Sequence, residues 1–478
     1  MRRKRVLLVR VCDPAEYVFS TCPPLGILYL AAYVRAHGDF EPRIIDMPLR
    51  GIGPEEVLPE IIAEEPDVLG LSGTQFDLPA IRRLAALVKS RRPSLPIVVG
   101  GPATDGDPEG VVADRAIDFA VIGEGEATFL DLLRRIGGDE DYAAVPGMAW
   151  VPNGHPVRNA PRPPIEDLDA LPFPAWDLLD LRAYFSGIRF QMIYERPEYM
   201  LLFTSRGCSW KCTFCHDIFG KTFRARSPEN VLAEIALLRE KYGIREMLVV
   251  DDTFNLERDR AKEILRGIVD RKLDVRLNFP CGIRGDIVDD ETLALMKRSG
   301  VYRLHYAIES GSPRLQKRMK KFARLEKLRD VIAETDARDI LTQGFFLFGF
   351  PTETWEEMEE TVEYALSTRL HTAQFMVVKA FPGTGLWHEA KSLGIPVEYD
   401  TADYAYVKSR RPLNGVPEEA MEAFVRRAYR RFYFDPKRMG RTIRLHPKKA
   451  QLLRLAWLFA RRAVLPNGRP KLTKRRIL

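Results

Sequence analysis

The stretch Arg206-Gly207-Cys208-Ser209-Trp210-Lys211-Cys212-Thr213-Phe214-Cys215-His216 sets three cysteines at the spacing C-x3-C-x2-C. Three thiolates on one short loop can converge on a soft metal centre, and three protein ligands leave one coordination position open for another molecule. Zinc is the bland alternative, with His216 as a fourth ligand. Adjacent residues rarely both reach one tetrahedral ion, however, and no second cysteine pair stands nearby. The remaining cysteines, Cys12, Cys22 and Cys281, are scattered. They read as small buried apolar residues, and the pattern fits a reducing, cytoplasmic compartment better than a disulfide framework.

Working outward, a strand at 200–204 leads into the cysteine loop. Residues 199–390 then alternate strand and helix, with further strands at 246–251, 274–280, 302–309, 341–348 and 373–379. Ser227-Pro228 and the Thr354-Trp355-Glu356-Glu357 capping box open two of the helices. Six βα units with polar or glycine-rich loops after each strand predict an open (β/α)6 barrel whose working face is the C-terminal one. The loops there carry Asp251-Asp252, Cys281-Gly282-Ile283-Arg284, Glu309-Ser310-Gly311 and Gly349-Phe350-Pro351-Thr352-Glu353.

Upstream, residues 1–136 alternate short apolar strands (5–11, 42–47, 67–72, 96–101, 118–122) with amphipathic helices. Strands that are apolar nearly throughout predict a parallel, doubly wound, Rossmann-like sheet, which binds ligands beyond its strand carboxyl ends. Those ends carry Ser72-Gly73-Thr74, Gly100-Gly101-Pro102 and Gly123-Glu124-Gly125-Glu126. Residues 137–198, rich in proline, read as a connector. Residues 391–478 read as a helical C-terminal region with a basic tail.

The length of 478 residues implies two to three domains. No apolar run is long enough to span a membrane, and the Arg-Arg-Lys-Arg start precedes too short an apolar run for a signal peptide. The net charge of +7 is local: residues 437–478 hold 14 Lys and Arg and no acid, so the rest of the chain stands at −7. Leu452, Leu455, Ala456 and Phe459 share one helical face in that tail. It reads first as a helix docking on the acidic body, and second as peripheral contact with anionic lipid at the inner membrane surface, with a lipid-like substrate. RNA contact is the third reading; a nucleic-acid partner is not expected.

The cysteine loop, with Phe214 before its third cysteine, resembles the motif of the radical S-adenosylmethionine superfamily. The N-terminal sheet resembles the cobalamin-binding domain that precedes this barrel in one branch of it. The resemblance covers residues 5–390. It implies a 4Fe–4S cluster on Cys208, Cys212 and Cys215, with S-adenosylmethionine on the open iron. Asp251 or Asp252 would meet its amine and Arg284 its carboxylate, with Glu309, Ser310, Gly349 and Glu353 in the same site. Cobalamin would face Ser72, Gly73, Thr74, Gln75, Phe76, Gly100, Gly101, Gly123, Glu124, Gly125 and Glu126. The Asp-x-His-x-x-Gly motif of many cobalamin domains is missing after the first strand, where Val11-Cys12-Asp13 stands. That implies a base-off cobalt without a lower histidine, its lower side met by the Gln75-Phe76-Asp77 loop.

The expected activity is methylation of an unactivated carbon through a 5′-deoxyadenosyl radical and methylcobalamin. The substrate would be a small or lipid-like molecule, and flavodoxin or ferredoxin would donate electrons. The rivals are a radical cyclisation, oxidation or rearrangement without methyl transfer, and a non-catalytic cobalamin or redox sensor.

Overall fold

The computed structural model describes residues 3–14, 22–186, 189, 191–216, 218–397, 412–449 and 452. The chain forms two compact units, one of Met1–Phe190 with Asp217–Gly220, the other of Gln191–His216 with Lys221–Leu478.

The first unit is built on strands β1 (Lys4–Arg10), β2 (Phe40–Asp46), β3 (Val68–Ser72), β4 (Ile97–Gly100), β5 (Phe119–Val121), β6 (Met148–Trp150) and β7 (Val157–Arg158), in the order 2-1-3-4-5-6-7. Strands β1 to β5 are parallel. Alternate residues feed two cores: Leu7, Val9, Leu69 and Leu71 pack on one face, Val6, Leu8, Val68 and Val98 on the other. Burial on both faces is why these strands are apolar throughout. The order reverses between β1 and β3, so the ligand crevice of such a sheet lies beyond Arg10 and Ser72.

The stretch read as a connector contributes to this sheet. Strands β6 and β7 add to it antiparallel. They are three and two residues long and flanked by prolines, which a sheet accepts at its edge.

The second unit holds β8 (Tyr199–Leu202), a small antiparallel ladder of β9 (Ser205–Arg206) with β10 (Arg224–Ala225), then β11 (Glu246–Val249), β12 (Arg276–Ile283), β13 (Val301–Glu309), β14 (Leu341–Phe348) and β15 (Thr372–Val377). The six longer strands are parallel and lie in sequence order, making the open barrel that the βα alternation predicts. Local signals act as read. Ser227 caps Pro228–Tyr242, whose end is Gly243 in the left-handed region, and Thr354 with Glu357 forms the capping box of Trp355–Ser367.

Helix Glu418–Tyr433 closes the outer edge of β15. The Tyr429 hydroxyl accepts from the Phe375 N–H (3.2 Å) and donates to its carbonyl (3.3 Å). Tyr433 does the same for Ala373, at 3.1 Å each way. No described helix is long and apolar enough to cross a membrane. The predicted tail helix lies outside the described residues, apart from Leu452.

Candidate functional site

The β9–β10 ladder pairs Arg206 with Arg224 and so pinches the neck of the loop that carries the cysteines. The loop sits where β8 ends, at the C-terminal mouth of the barrel. Gly207 N–H donates to Asp252 Oδ2 (3.1 Å), and the Cys208 thiol lies 3.2 Å from Thr253 Oγ1. Thr213 N–H donates to the Met319 carbonyl (3.0 Å), and Leu386 N–H donates to the Thr213 carbonyl (2.7 Å). Phe214 packs edge-on to Phe350 with ring centroids 5.7 Å apart. The loop is thus fixed to the ends of four other strands' connections before any metal binds.

Cys212 is buried and Cys215 exposed. A hydrogen bond from the Cys215 thiol pulls Cys212 down to about 6 against the effect of burial, with Lys321 assisting; Cys215, holding the shared proton, is pushed up. Lys321 is buried, and its ammonium lies 3.0 Å from Glu309 Oε1. Burial alone would lower the Lys321 pKa, but the Glu309 carboxylate and the two thiols raise it on balance. A cation is therefore held behind the thiols in a low-dielectric site. Glu309 adopts φ +70° at an irregularity in the β13–β14 register, a conformation that a non-glycine residue keeps only when its surroundings enforce it.

Three sequence expectations change. Arg284 is not available for a ligand carboxylate. Its guanidinium forks onto Asp286 (2.6 and 3.2 Å), donates to the carbonyls of Lys321 (2.7 Å) and Phe322 (3.0 Å), and stacks on Trp210. Asp251 is also committed: its buried carboxylate accepts from Thr204 N–H (2.6 Å), Thr204 Oγ1 and Ser205 Oγ (2.7 Å). Burial raises its pKa despite these bonds. Asp252, by contrast, is exposed beside the cysteine loop, where it accepts from Gly207 N–H. Cys281 is not a buried core residue. It is exposed at a break in the β12–β13 register, yet the protein walls around it, with Asp252 and Asp251, push its thiol up to about 12.

The other strand ends are ordered by their own contacts. Ser310 Oγ meets Thr361 Oγ1 at 3.0 Å. Glu353 Oε2 accepts from the N–H groups of Gly349 and Phe350, while its Oε1 is buried without a partner. Burial pushes Glu353 up to about 8.

Lys321 is the residue the sequence did not single out. It sits in the run Lys317-Arg318-Met319-Lys320-Lys321, which reads as solvated charge, and nothing local marks one of its lysines as buried. Thr253 and Trp210 carry no spacing signal either.

In the first unit, Ser72 and Gly100 end neighbouring strands, Gly101 stands against Ser72 and Gly73, and Gly123–Glu126 follow β5, the next strand over. Gly101 has φ +75°, and a Cβ there would fall 2.9 Å from Ser72 Oγ. Around Gly123 a Cβ would meet nothing within 4 Å, so the rim is open there. The Gln75–Asp77 turn is tied down: Asp77 accepts from Thr74 N–H (2.7 Å) and Oγ1 (2.8 Å), and the Gln75 amide donates to the Asp105 carbonyl (2.8 Å). Phe76 is only partly buried. Glu124 accepts from Ile165 N–H (3.1 Å), and Glu126 is buried.

Among the described residues no three His, Cys, Asp or Glu side chains are placed to hold one metal ion. A 4Fe–4S cluster makes a different demand, one thiolate for each iron it ligates, and the donor set of three thiols on a braced loop fits it.

The Radical SAM superfamily model matches residues 202–365, and the B12 binding domain model matches residues 15–133. The chain is 30% identical over 446 residues to an uncharacterized methyltransferase of Pyrococcus horikoshii, covering 91% of this chain and 94% of that protein. It is 29% identical over 417 residues to the cytidylyl-2-hydroxyethylphosphonate methyltransferase of Streptomyces wedmorensis, 77% of each. Its fold matches the radical S-adenosylmethionine methyltransferase TsrM of Kitasatospora setae at TM-score 0.69 and 22% identity, over 82% of this chain and 76% of that one.

Proposed function

This chain belongs to the cobalamin-dependent branch of the radical S-adenosylmethionine enzymes, and on that premise we propose that it is a methyltransferase acting on an unactivated carbon. The observation that carries the reading is the cysteine loop itself. Three thiols stand at the barrel mouth on a loop necked by its own ladder, with the buried Lys321 cation behind two of them. Cys208, Cys212 and Cys215 would hold the cluster. When bound, the cluster supplies the electron that cleaves S-adenosylmethionine, and the corrinoid supplies a methyl carrier.

The chain's own groups orient and shield. Lys321, rather than Arg284, would meet the carboxylate of S-adenosylmethionine, and Asp252 its amine. Glu309, Ser310, Gly349 and Glu353 would line the remainder of that site. Arg284 positions the loop through Trp210 and the 321–322 carbonyls.

At the other sheet, Ser72 to Phe76, Gly100, Gly101 and Gly123 to Glu126 would face the corrinoid. Val11-Cys12-Asp13 follows β1 without a histidine, which supports a base-off cobalt facing the Gln75–Asp77 turn. A flavodoxin or ferredoxin in a reducing cytoplasm would supply the electrons.

The test is anaerobic reconstitution with iron, sulfide and cobalamin, then S-adenosylmethionine and a strong reductant. 5′-Deoxyadenosine together with S-adenosylhomocysteine supports methyl transfer. 5′-Deoxyadenosine alone would favour a cyclisation or oxidation, and neither product would leave a sensor. A Cys212→Ala protein that still formed 5′-deoxyadenosine would overturn the ligand assignment.

A further inference from the structure

The barrel is built inside out with respect to solvent. Strand register puts Arg303, His305 and Ala307 of β13 on the same face as Leu341, Gln343 and Phe345 of β14, and Gln343, Phe345 and Leu347 on the same face as Thr372, Gln374 and Met376 of β15. The alternate residues point outward: Tyr306 bonds Thr335 of the outer helix Leu325–Ala337, and Phe375 packs on Tyr429. Those outward residues, Leu304, Ile308, Phe346 and Phe348 among them, are buried. Their inward neighbours divide: Arg303, His305, Leu341 and Gln343 at the inner end are buried as well, and those nearer the mouth are not. Ala307, Phe345, Leu347 and Met376 are partly exposed, and Gln374 is exposed. In a filled barrel, inward side chains pack into a closed core. Here the ones nearer the mouth line a solvent-reachable lumen above that buried inner end.

That lumen is neutral between its floor and its rim. At the floor, Arg303 is engaged by Gln191 and Gln343, and Glu246 takes bonds from Tyr302 and the N–H groups of Glu195 and Arg196. At the rim stand Asp252, the Lys321–Glu309 pair and, just after β15, the buried Lys379. Between them, His305 donates Nδ1–H to the Pro280 carbonyl (3.0 Å), leaving Nε2 as a buried acceptor without a partner. Burial and the Arg303 charge hold this imidazole neutral. Among the described inward residues of β13, β14 and β15, no charge lies above Arg303 and below Glu309.

We propose that the substrate presents a neutral, mainly hydrocarbon portion to this lumen. A phosphate or carboxylate there would lose its hydration without a counter-charge, at a cost that excludes it. Phe345, Leu347 and Met376 supply the apolar wall, while Gln374 and the His305 acceptor allow a hydroxyl or amide at the inner end. The inference rests on the barrel mouth being the reaction site.

The test uses the full chain with cluster and cobalamin reconstituted. The probe is N-phenyl-1-naphthylamine, a neutral fluorophore, displaced by straight-chain alkanols, alkanoates and alkylammonium ions of matched length. Saturable binding at one site per chain is expected, with alkanols tightening about fourfold per added methylene. Alkanoates should compete at least about tenfold more weakly. Leu347→Glu should abolish probe binding. Gln374→Glu, at an exposed position that can accept charge without unfolding, should weaken alkanols and strengthen alkylammonium ions. The proposal fails if alkanoates compete as well as alkanols, if no saturable site is found, or if Gln374→Glu leaves the ranking unchanged. Cleavage of S-adenosylmethionine to 5′-deoxyadenosine by the same preparations reports on the cluster separately, so loss of one reading is distinguishable from loss of the other.

Discussion

The Arg284 guanidinium lies 3.9 Å from the centroid of the Trp210 ring, so a residue following β12 holds the cysteine loop by its face rather than by charge. Its edge donors are spent on Asp286 and on the carbonyls of Lys321 and Phe322. Lys320 and Phe322 carry φ of 55° and 52°, and the Arg284 donors help to keep that segment in place. One buried cation thus braces two walls of the candidate site. Arg284→Lys keeps the charge but loses the fork and the flat stacking surface. A loss of about 2–4 kcal/mol is expected in urea unfolding, together with a lower iron content after reconstitution.

Lys321→Met tests the cation behind the thiols. Glu309 would be left buried without its partner, at a cost on the order of 3 kcal/mol. S-adenosylmethionine affinity should fall by roughly tenfold or more, since a charge-assisted bond to its carboxylate is removed. The double variant Lys321→Met, Glu309→Gln should recover the stability and not the affinity, as read by thermal melting beside equilibrium dialysis.

Glu353 makes stability depend on pH. Its folded pKa, about 8, stands above the ordinary value of 4.5. Below the ordinary value both states hold the proton and nothing is lost. As pH rises towards 8 the unfolded chain releases a proton that the folded chain keeps, so stability falls with pH across that window, by a few kcal/mol at most. Glu353→Gln should remove this slope. Denaturant titrations at pH 5 and pH 8 should show the variant gaining on the parent as pH rises.

Cys281 is exposed but poorly ionised, with its thiol pushed up to about 12. At pH 8 few of its molecules are thiolate, partly offset by the greater nucleophilicity of a basic thiolate. Alkylation by iodoacetamide should run roughly a hundredfold slower than at an ordinary free thiol. Cys281→Ala should retain full iron content, whereas Cys208→Ala should not.

Gly101→Ala places a methyl group 2.9 Å from Ser72 Oγ on a backbone at φ +75°. The strain is about 1–3 kcal/mol. It should act at the rim, so cobalamin retention on gel filtration should drop while the iron content stays at the parent level.

The two α/β units are legible in the sequence because their signals are local: apolar strands, capped helices, loops closed by glycine. The cysteine spacing is local too. The rest depends on partners far along the chain. Asp251 and Asp252 look equivalent in sequence, and only contacts with Thr204 and Ser205 on one side and Gly207 on the other separate them. Arg284 reads as a ligand arginine until Asp286, Trp210 and the 321–322 carbonyls claim it. Strands β6 and β7 are too short for a period to register. For the strand at 341–348 the apolar pattern says nothing of which face is wet, so the part-exposed Phe345 and Leu347 carry no mark in the sequence.

The tyrosines at the barrel's edge have a consequence for solubility. An open barrel leaves β15 with backbone groups that no strand pairs, and such an edge recruits strands from other molecules. Tyr429 and Tyr433 stand four residues apart on a helix, a rise of about 6 Å. Ala373 and Phe375 stand two apart on the strand, about 6.6 Å. The near match lets two hydroxyls serve two peptide units, imitating a seventh strand with side chains. Tyr429→Phe combined with Tyr433→Phe keeps the rings and their packing, so the monomer should fold. It should also aggregate at concentrations where the parent does not, with light scattering rising before any loss of helical circular dichroism.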